Sequence, residues 1–213
     1  MEAVKPFLDI QHNIEKGLPP FNDPPYSEDP EPPFLEEWIN AATGINVVGQ
    51  SCVSLLSDSL KLYFSTLQTR VIGFVLSDAE KPATKGQGFV ALSLGKILDT
   101  DWTDCPARFD VIEQVVLARN RSQHGSSLIS HQLRHDPDTS RKHPLPLFFA
   151  SDQELQEWRE SQRDEDSYFA PMLEITKDKL FEASYEVEKL ANCIEGRIDE
   201  AWEWRRRAVG AGE

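Results

Sequence analysis

The sequence has no CxxC pair, and its three cysteines, Cys52, Cys105 and Cys193, are widely separated and odd in number. That excludes a disulfide framework and a zinc knuckle, and leaves the cysteines as small apolar residues of an interior. No uninterrupted apolar run of roughly 18 residues is present, so no membrane span is expected. The N-terminus lacks the succession of positive charge, apolar stretch and small-residue cleavage site of a signal peptide, which makes the cytoplasm the expected compartment. No internal repeat is visible. Bases are scarce, with 22 Lys and Arg against 36 Asp and Glu and a formal charge of −14. Phosphate binding rests on Lys and Arg, so a chain-wide nucleic-acid coat is excluded and DNA is not an expected partner.

What is present is globular. Hydrophobic residues make up 39% and charged residues 27% of 213, enough for one domain with additions and a substantial core. Residues 105–125, CPARFDVIEQVVLARNRSQHG, read as an amphipathic helix. Pro106 opens it, because a proline's missing N–H has no partner in a first turn, and Gly125 ends it. Phe109, Ile112, Val116 and Arg119 share one stripe, widened by Val111, Val115 and Ala118. Where the apolar row should continue it carries Arg119, Asn120 and Arg121, and His124 closes the series. A guanidinium at a core-facing position is costly unless an anion or a hydrogen-bonding group meets it, and the run therefore marks a candidate site. The competing account is a helix C-terminus whose carbonyl dipole attracts Arg and His.

The segment ARNRSQHG resembles the RNxxxH form of the R-x4-6-H motif of the HEPN superfamily, through Arg119, Asn120 and His124. The order of elements over residues 34–208 is similar to the family as well: a long helix, the motif helix and a late terminal helix. The resemblance implies an all-α helical bundle that pairs into a homodimer. For many members it also implies metal-independent cleavage of RNA, in toxin or phage-defence settings where a nucleotidyltransferase-type antitoxin can be the partner. No cofactor is implied. The chain then divides into an N-terminal helix with a proline-rich tether (1–33), a HEPN-like helical domain (34–208) and a tail (209–213).

Along the chain, residues 2–16 read as a short helix stopped by Gly17. Residues 18–34 contain seven prolines and form an extended tether, so the first helix docks on the bundle or reaches a partner. Residues 36–75 hold the longest periodic run, through Trp38, Ala42, Ile45, Cys52, Leu56, Leu60, Tyr63, Leu67 and Val71, with a second row at Ile39, Val48, Leu55 and Leu62. A helix of ~40 residues spans ~60 Å, so a bend at Gly44 or Gly49, or packing of the far end on a second subunit, is expected. Residues 77–88 form a loop and 89–98 a helix, with Trp102 in the turn before the motif helix. Residues 147–150 and 172–175 are short extended pieces that make a small β-ribbon if they pair. Asp152 caps a charged helix to about residue 163, with Leu155 and Trp158 inward. Thr176 caps a single final helix through Trp202. Arg205, Arg206 and Arg207 follow at its negative end, where a macrodipole contact is the first explanation and RNA phosphate the second.

Charge is uneven. Residues 1–40 hold nine acids against Lys5 and Lys16, whereas residues 108–143 hold six bases, Arg108, Arg119, Arg121, Arg134, Arg141 and Lys142, against Asp110, Glu113, Asp136 and Asp138. A locally basic stretch favours an anion there, and Arg121, Arg134, Arg141 and Lys142 become candidate RNA contacts.

RNA can be cut without metal if a base takes the 2′-hydroxyl proton, a cation holds the phosphorane and an acid protonates the leaving 5′-oxygen. Histidine suits the proton roles and arginine the phosphate role, which assigns His124 and Arg119, with Asn120 orienting. One chain offers one such histidine, so a two-fold dimer completes the site. The alternative is a non-catalytic HEPN-like module for dimerisation, nucleotide binding or partner binding. A minor reading uses His131 and His135, which have the i, i+4 spacing of a metallopeptidase helix, with His143, Asp136 or Asp138 as third ligand. Gln132 stands where the general base belongs and cannot accept a proton, and Pro137 and Pro144 are close, so no metal site is assigned.

Overall fold

A computed structural model describes residues 2–24, 26, 31–73, 104–124, 148–160 and 172–210. These are mostly helical and contain no sheet, which makes the described fold all-α. After a 3₁₀ turn at Glu2–Val4, helix α1 spans Lys5–Lys16 with a proline in its first turn. Gly17 ends it as expected: its φ of 60° is open to glycine, and its amide donates to the Ile14 carbonyl. The helix docks on the bundle. Val4 is buried, the Phe7 ring lies on Gly44, and Trp38 Nε1 donates to Glu15 at 3.4 Å. Phe21 lies edge-on to Phe34, with ring centroids 5.1 Å apart.

Helix α2 spans Leu35–Thr66 and passes into a turn of π-helix at Leu67–Ile72. Its helical hydrogen bonding is continuous through both glycines. Each glycine admits a neighbour: a Cβ on Gly44 would fall 2.5 Å from the Phe7 ring, and one on Gly49 would fall 3.0 Å from Ile175 Cβ. Although no uninterrupted apolar run is present, Leu35–Val71 contains an 18-residue window of mean hydropathy 1.2, long and apolar enough to cross a membrane by length and composition alone. Only 17% of that window is buried in the fold. Helix α1 packs along α2, and the two further core helices pack on it as well.

The core is built from α2, helix α3 (Phe109–His124) and helix α5 (Lys177–Glu195). Leu60 and Phe64 of α2 and Leu67 of the π-helical turn meet Ile112 near the start of α3 and Leu190 and Ile194 near the end of α5. Val53 shares the second cluster with Val111, with Val115 and Ala118 farther along α3, and with Ala183 earlier on α5. The order of these contacts makes α3 antiparallel to both neighbours. Tyr63 fills the first cluster, its hydroxyl donating to the Ala191 carbonyl, and burial together with the Glu195 charge pushes its pKa up to about 12.

Helix α4 (Asp152–Glu160) closes the second cluster through Leu155. Asp152 sits inside its first turn rather than at the cap, and accepts from Lys179 Nζ at 3.1 Å. Among the described residues the expected ribbon contracts to one antiparallel bridge between Ala150 and Leu173, with the Glu174 amide donating to the Phe149 carbonyl at 2.7 Å. Pairing stops there because Ile175 is taken by Gly49 and Thr176 already caps α5, accepting the Lys179 amide at 3.3 Å. The single final helix is also corrected. It breaks at Gly196, a poor helix former, and α6 (Ile198–Gly210) follows, which turns Ile198 back onto the first cluster. Gly210 therefore belongs to α6 rather than to a tail. The expected loop at 77–88, the helix at 89–98, Trp102 and Arg163 lie outside the described residues.

Candidate functional site

Helix α3 begins three residues after Pro106, which belongs to the chain leading into it. The start is set by Arg108. Its carbonyl accepts from the Val111 and Ile112 amides at 3.1 and 3.2 Å, and its own amide donates to Glu186 Oε2 at 2.8 Å. Glu186, 4% exposed, also accepts from Lys189 Nζ at 2.8 Å. Burial pushes the Glu186 carboxyl up, but hydrogen bonds from Lys189 and the Arg108 amide, with the charges of both residues, outweigh it and hold the carboxyl below its ordinary value. The Arg108 guanidinium spans Glu182 at 2.9 Å and Asp110 at 3.0 Å.

The buried stripe of α3 is Val111, Ile112, Val115 and Ala118, with Gln114 beside it. Val116 lies on the outer side, and Arg119 falls at the border of the stripe rather than in the core. The anion demanded by that guanidinium is Asp58 of α2, whose Oδ1 accepts from Arg119 Nη2 at 3.4 Å. Arg119 Nη1 donates to Oδ1 of exposed Asn120 at 3.2 Å. The Arg119 side chain is 24% exposed and that of Asp58 53%. Asp58 was legible as a lone carboxylate between Leu55, Leu56 and Leu60, an interruption that the periodicity count passed over. Glu186, within an apolar row through Ala183 and Leu190, is the same kind of signal.

Leu55, Asp58 and Leu62 are three and four residues apart and so share one face of α2. Leu55 and Leu62 are each 68% exposed, and Val116 stands one turn before Arg119 on the outer side of α3. The Arg119–Asp58 pair is thus framed by uncovered apolar side chains.

Of the other candidates, Arg121 and His124 contribute described backbone to α3, which continues unbroken through His124. Arg134, Arg141, Lys142, His131 and His135 lie outside the described residues. The basic stretch is corrected where it is described: Arg108 and Arg119 both meet carboxylates, two of them, Glu182 and Asp58, supplied by α5 and α2. Counting charge along the sequence overlooks such partners. Arg206 and Arg207 are exposed on α6. Among the described residues no group of three His, Cys, Asp or Glu side chains gathers as metal ligands.

Compared with family models, with curated proteins and with solved structures, the chain matches none.

Proposed function

We propose that the chain is a metal-independent endoribonuclease of HEPN type that acts as a homodimer. Arg119 holds the phosphate, His124 serves as general acid and base, and Asn120 orients its neighbours. The observation that carries this reading is the setting of Arg119: partly open, hydrogen-bonded to Asn120, and framed by uncovered Leu55, Leu62 and Val116. Apolar side chains exposed together around a polar pair suit a partner surface, and a two-fold axis there brings two motifs into one cleft. The continuity of α3 supports sharing, because residues five apart on an unbroken helix point ~140° away from each other. Arg121, Arg134, Arg141 and Lys142 then serve as contacts along the RNA backbone.

Attack by the 2′-oxygen leaves a 2′,3′-cyclic phosphate. Purified protein incubated with RNA in EDTA is expected to yield that end, and His124→Ala to abolish it. Absence of cleavage by the wild type, or equal cleavage by His124→Ala, overturns the proposal.

One observation favours the non-catalytic module: Asp58 already neutralises Arg119, and a phosphate must displace it. Under that reading Arg119→Ala loses RNA or nucleotide affinity, while the wild type binds without turnover.

A further inference from the structure

Helix α6 spans Ile198–Gly210, so of the three consecutive arginines only Arg207 falls in its last turn. The macrodipole weakens beyond that turn, and it therefore accounts for Arg207 but not for Arg205 and Arg206. From residue 204 to 212 the chain holds three arginines and no acid, the reverse of its overall charge of −14. The acids of α6 lie in its first half, with Asp199 and Glu200 in the opening turn at the positive end of the dipole and Glu203 just after. Arg206 and Arg207 are exposed, and among the described residues neither is joined to a carboxylate. Ile198, Trp202 and Arg206 follow at intervals of four and form one row along the helix. Ile198 packs against the first core cluster, Trp202 is 47% exposed, and Arg206 reaches solvent. The row thus anchors α6 at one end and presents an indole beside a guanidinium at the other.

We propose that the second half of α6 is a contact surface for single-stranded RNA: a base stacks on Trp202, Arg206 on the same row holds an adjoining phosphate, and Arg207 holds another. The choice of RNA rests on the ribonuclease reading above. An indole stacks with any base, and a guanidinium grips phosphate through a planar fork of donors, so the pairing suits a strand whose bases are unpaired. A lipid surface fits less well. A membrane plane would meet the acidic first half of α6 together with the basic half, and a net charge of −14 opposes an anionic bilayer. A single strand is narrow enough to follow the basic half alone. The resulting contact is tolerant of sequence and weakened by salt.

The test uses the full-length chain and a labelled 2′-O-methyl oligouridine, which lacks the free 2′-hydroxyl that cleavage needs, so binding is read apart from catalysis. Fluorescence anisotropy should show Trp202→Ala losing affinity by roughly 5- to 150-fold while Trp202→Phe stays close to wild type. Arg206→Gln combined with Arg207→Gln should weaken binding to all oligonucleotides alike and flatten the plot of log affinity against log salt by about 0.7 for each arginine removed. Arg206→Lys combined with Arg207→Lys should keep the wild-type slope. An unchanged salt slope in the glutamine variant, or a wild type that binds phosphatidylserine vesicles and not the oligonucleotide, overturns the proposal. Cleavage of ordinary RNA in EDTA, with the glutamine variant binding like wild type, sinks this surface and leaves the nuclease reading standing. Binding that depends on Trp202 and Arg206 without any cleavage does the opposite.

Discussion

Arg119 and Asp58, brought together from α3 and α2, meet at 3.4 Å where the buried stripe of α3 gives way to solvent. The contact offsets part of the cost of a guanidinium bordering a core, and it lowers the net charge offered to a bound phosphate. Partly exposed pairs of this kind contribute roughly 0.2–1 kcal/mol to stability.

Removing the carboxylate should therefore free the guanidinium at little structural cost. Asp58→Asn is expected to lower stability by less than about 1 kcal/mol and to raise affinity for single-stranded RNA by up to about fivefold. Arg119→Ala should lose binding. Fluorescence anisotropy at fixed low salt, beside urea unfolding, checks both. Unchanged affinity in the two variants would show that the pair is purely structural.

Leu55 and Leu62 offer a test of self-association. The double variant Leu55→Glu and Leu62→Glu alters side chains that are mostly exposed, so each change should move monomer stability by no more than about 0.5 kcal/mol. Sedimentation velocity should find a dimer for the wild type and a monomer for the variant. A wild-type monomer at high micromolar concentration contradicts the shared site.

Gly44 holds α1 in place by having no side chain. Gly44→Leu drives atoms into the Phe7 ring and is expected to cost about 1–3 kcal/mol of docking. Hydrogen exchange of the α1 amides should then accelerate by roughly 5- to 150-fold while the α3 amides stay protected. Phe7→Ala in the same chain should recover part of the loss. Unaltered α1 exchange in Gly44→Leu would contradict the close approach.

Glu186 gives the fold a pH dependence with a defined sign. Its carboxyl is held below the ordinary value in the folded chain, so its contribution is fully present above the unfolded value near 4.3 and is lost as pH falls through the folded value. Glu186→Gln keeps the size but loses the charge that meets Lys189 and the Arg108 amide, and should cost about 1–3 kcal/mol at neutral pH. The gap between wild type and variant should close as pH drops below about 4. A gap that stays constant on acidification would show that the charge plays no part.

Much of this molecule could be read from residue order. Gly17 stops α1 and Thr176 caps α5 because left-handed backbone and N-cap oxygens are local requirements, met within a few residues. The long apolar period of α2 and the location of the motif on a helix are local in the same sense. Pro106 suits a first turn by local criteria, yet α3 opens at Phe109, just after the Arg108 amide bonds to Glu186. The final helix was read as single because Gly196 costs only about 1 kcal/mol locally, and the pull of Ile198 toward the core is not a local property.

The sequence by itself determined where helices form, where several of them end and which residues make up the RNxxxH segment, since periodicity, caps and glycines act over a few positions. Tertiary structure alone decided that Asp58 meets Arg119, that Gly44 and Gly49 receive Phe7 and Ile175, and that the Arg108 amide meets Glu186. Each of these joins residues on different elements, and such contacts depend on how faces pack, which no local pattern records.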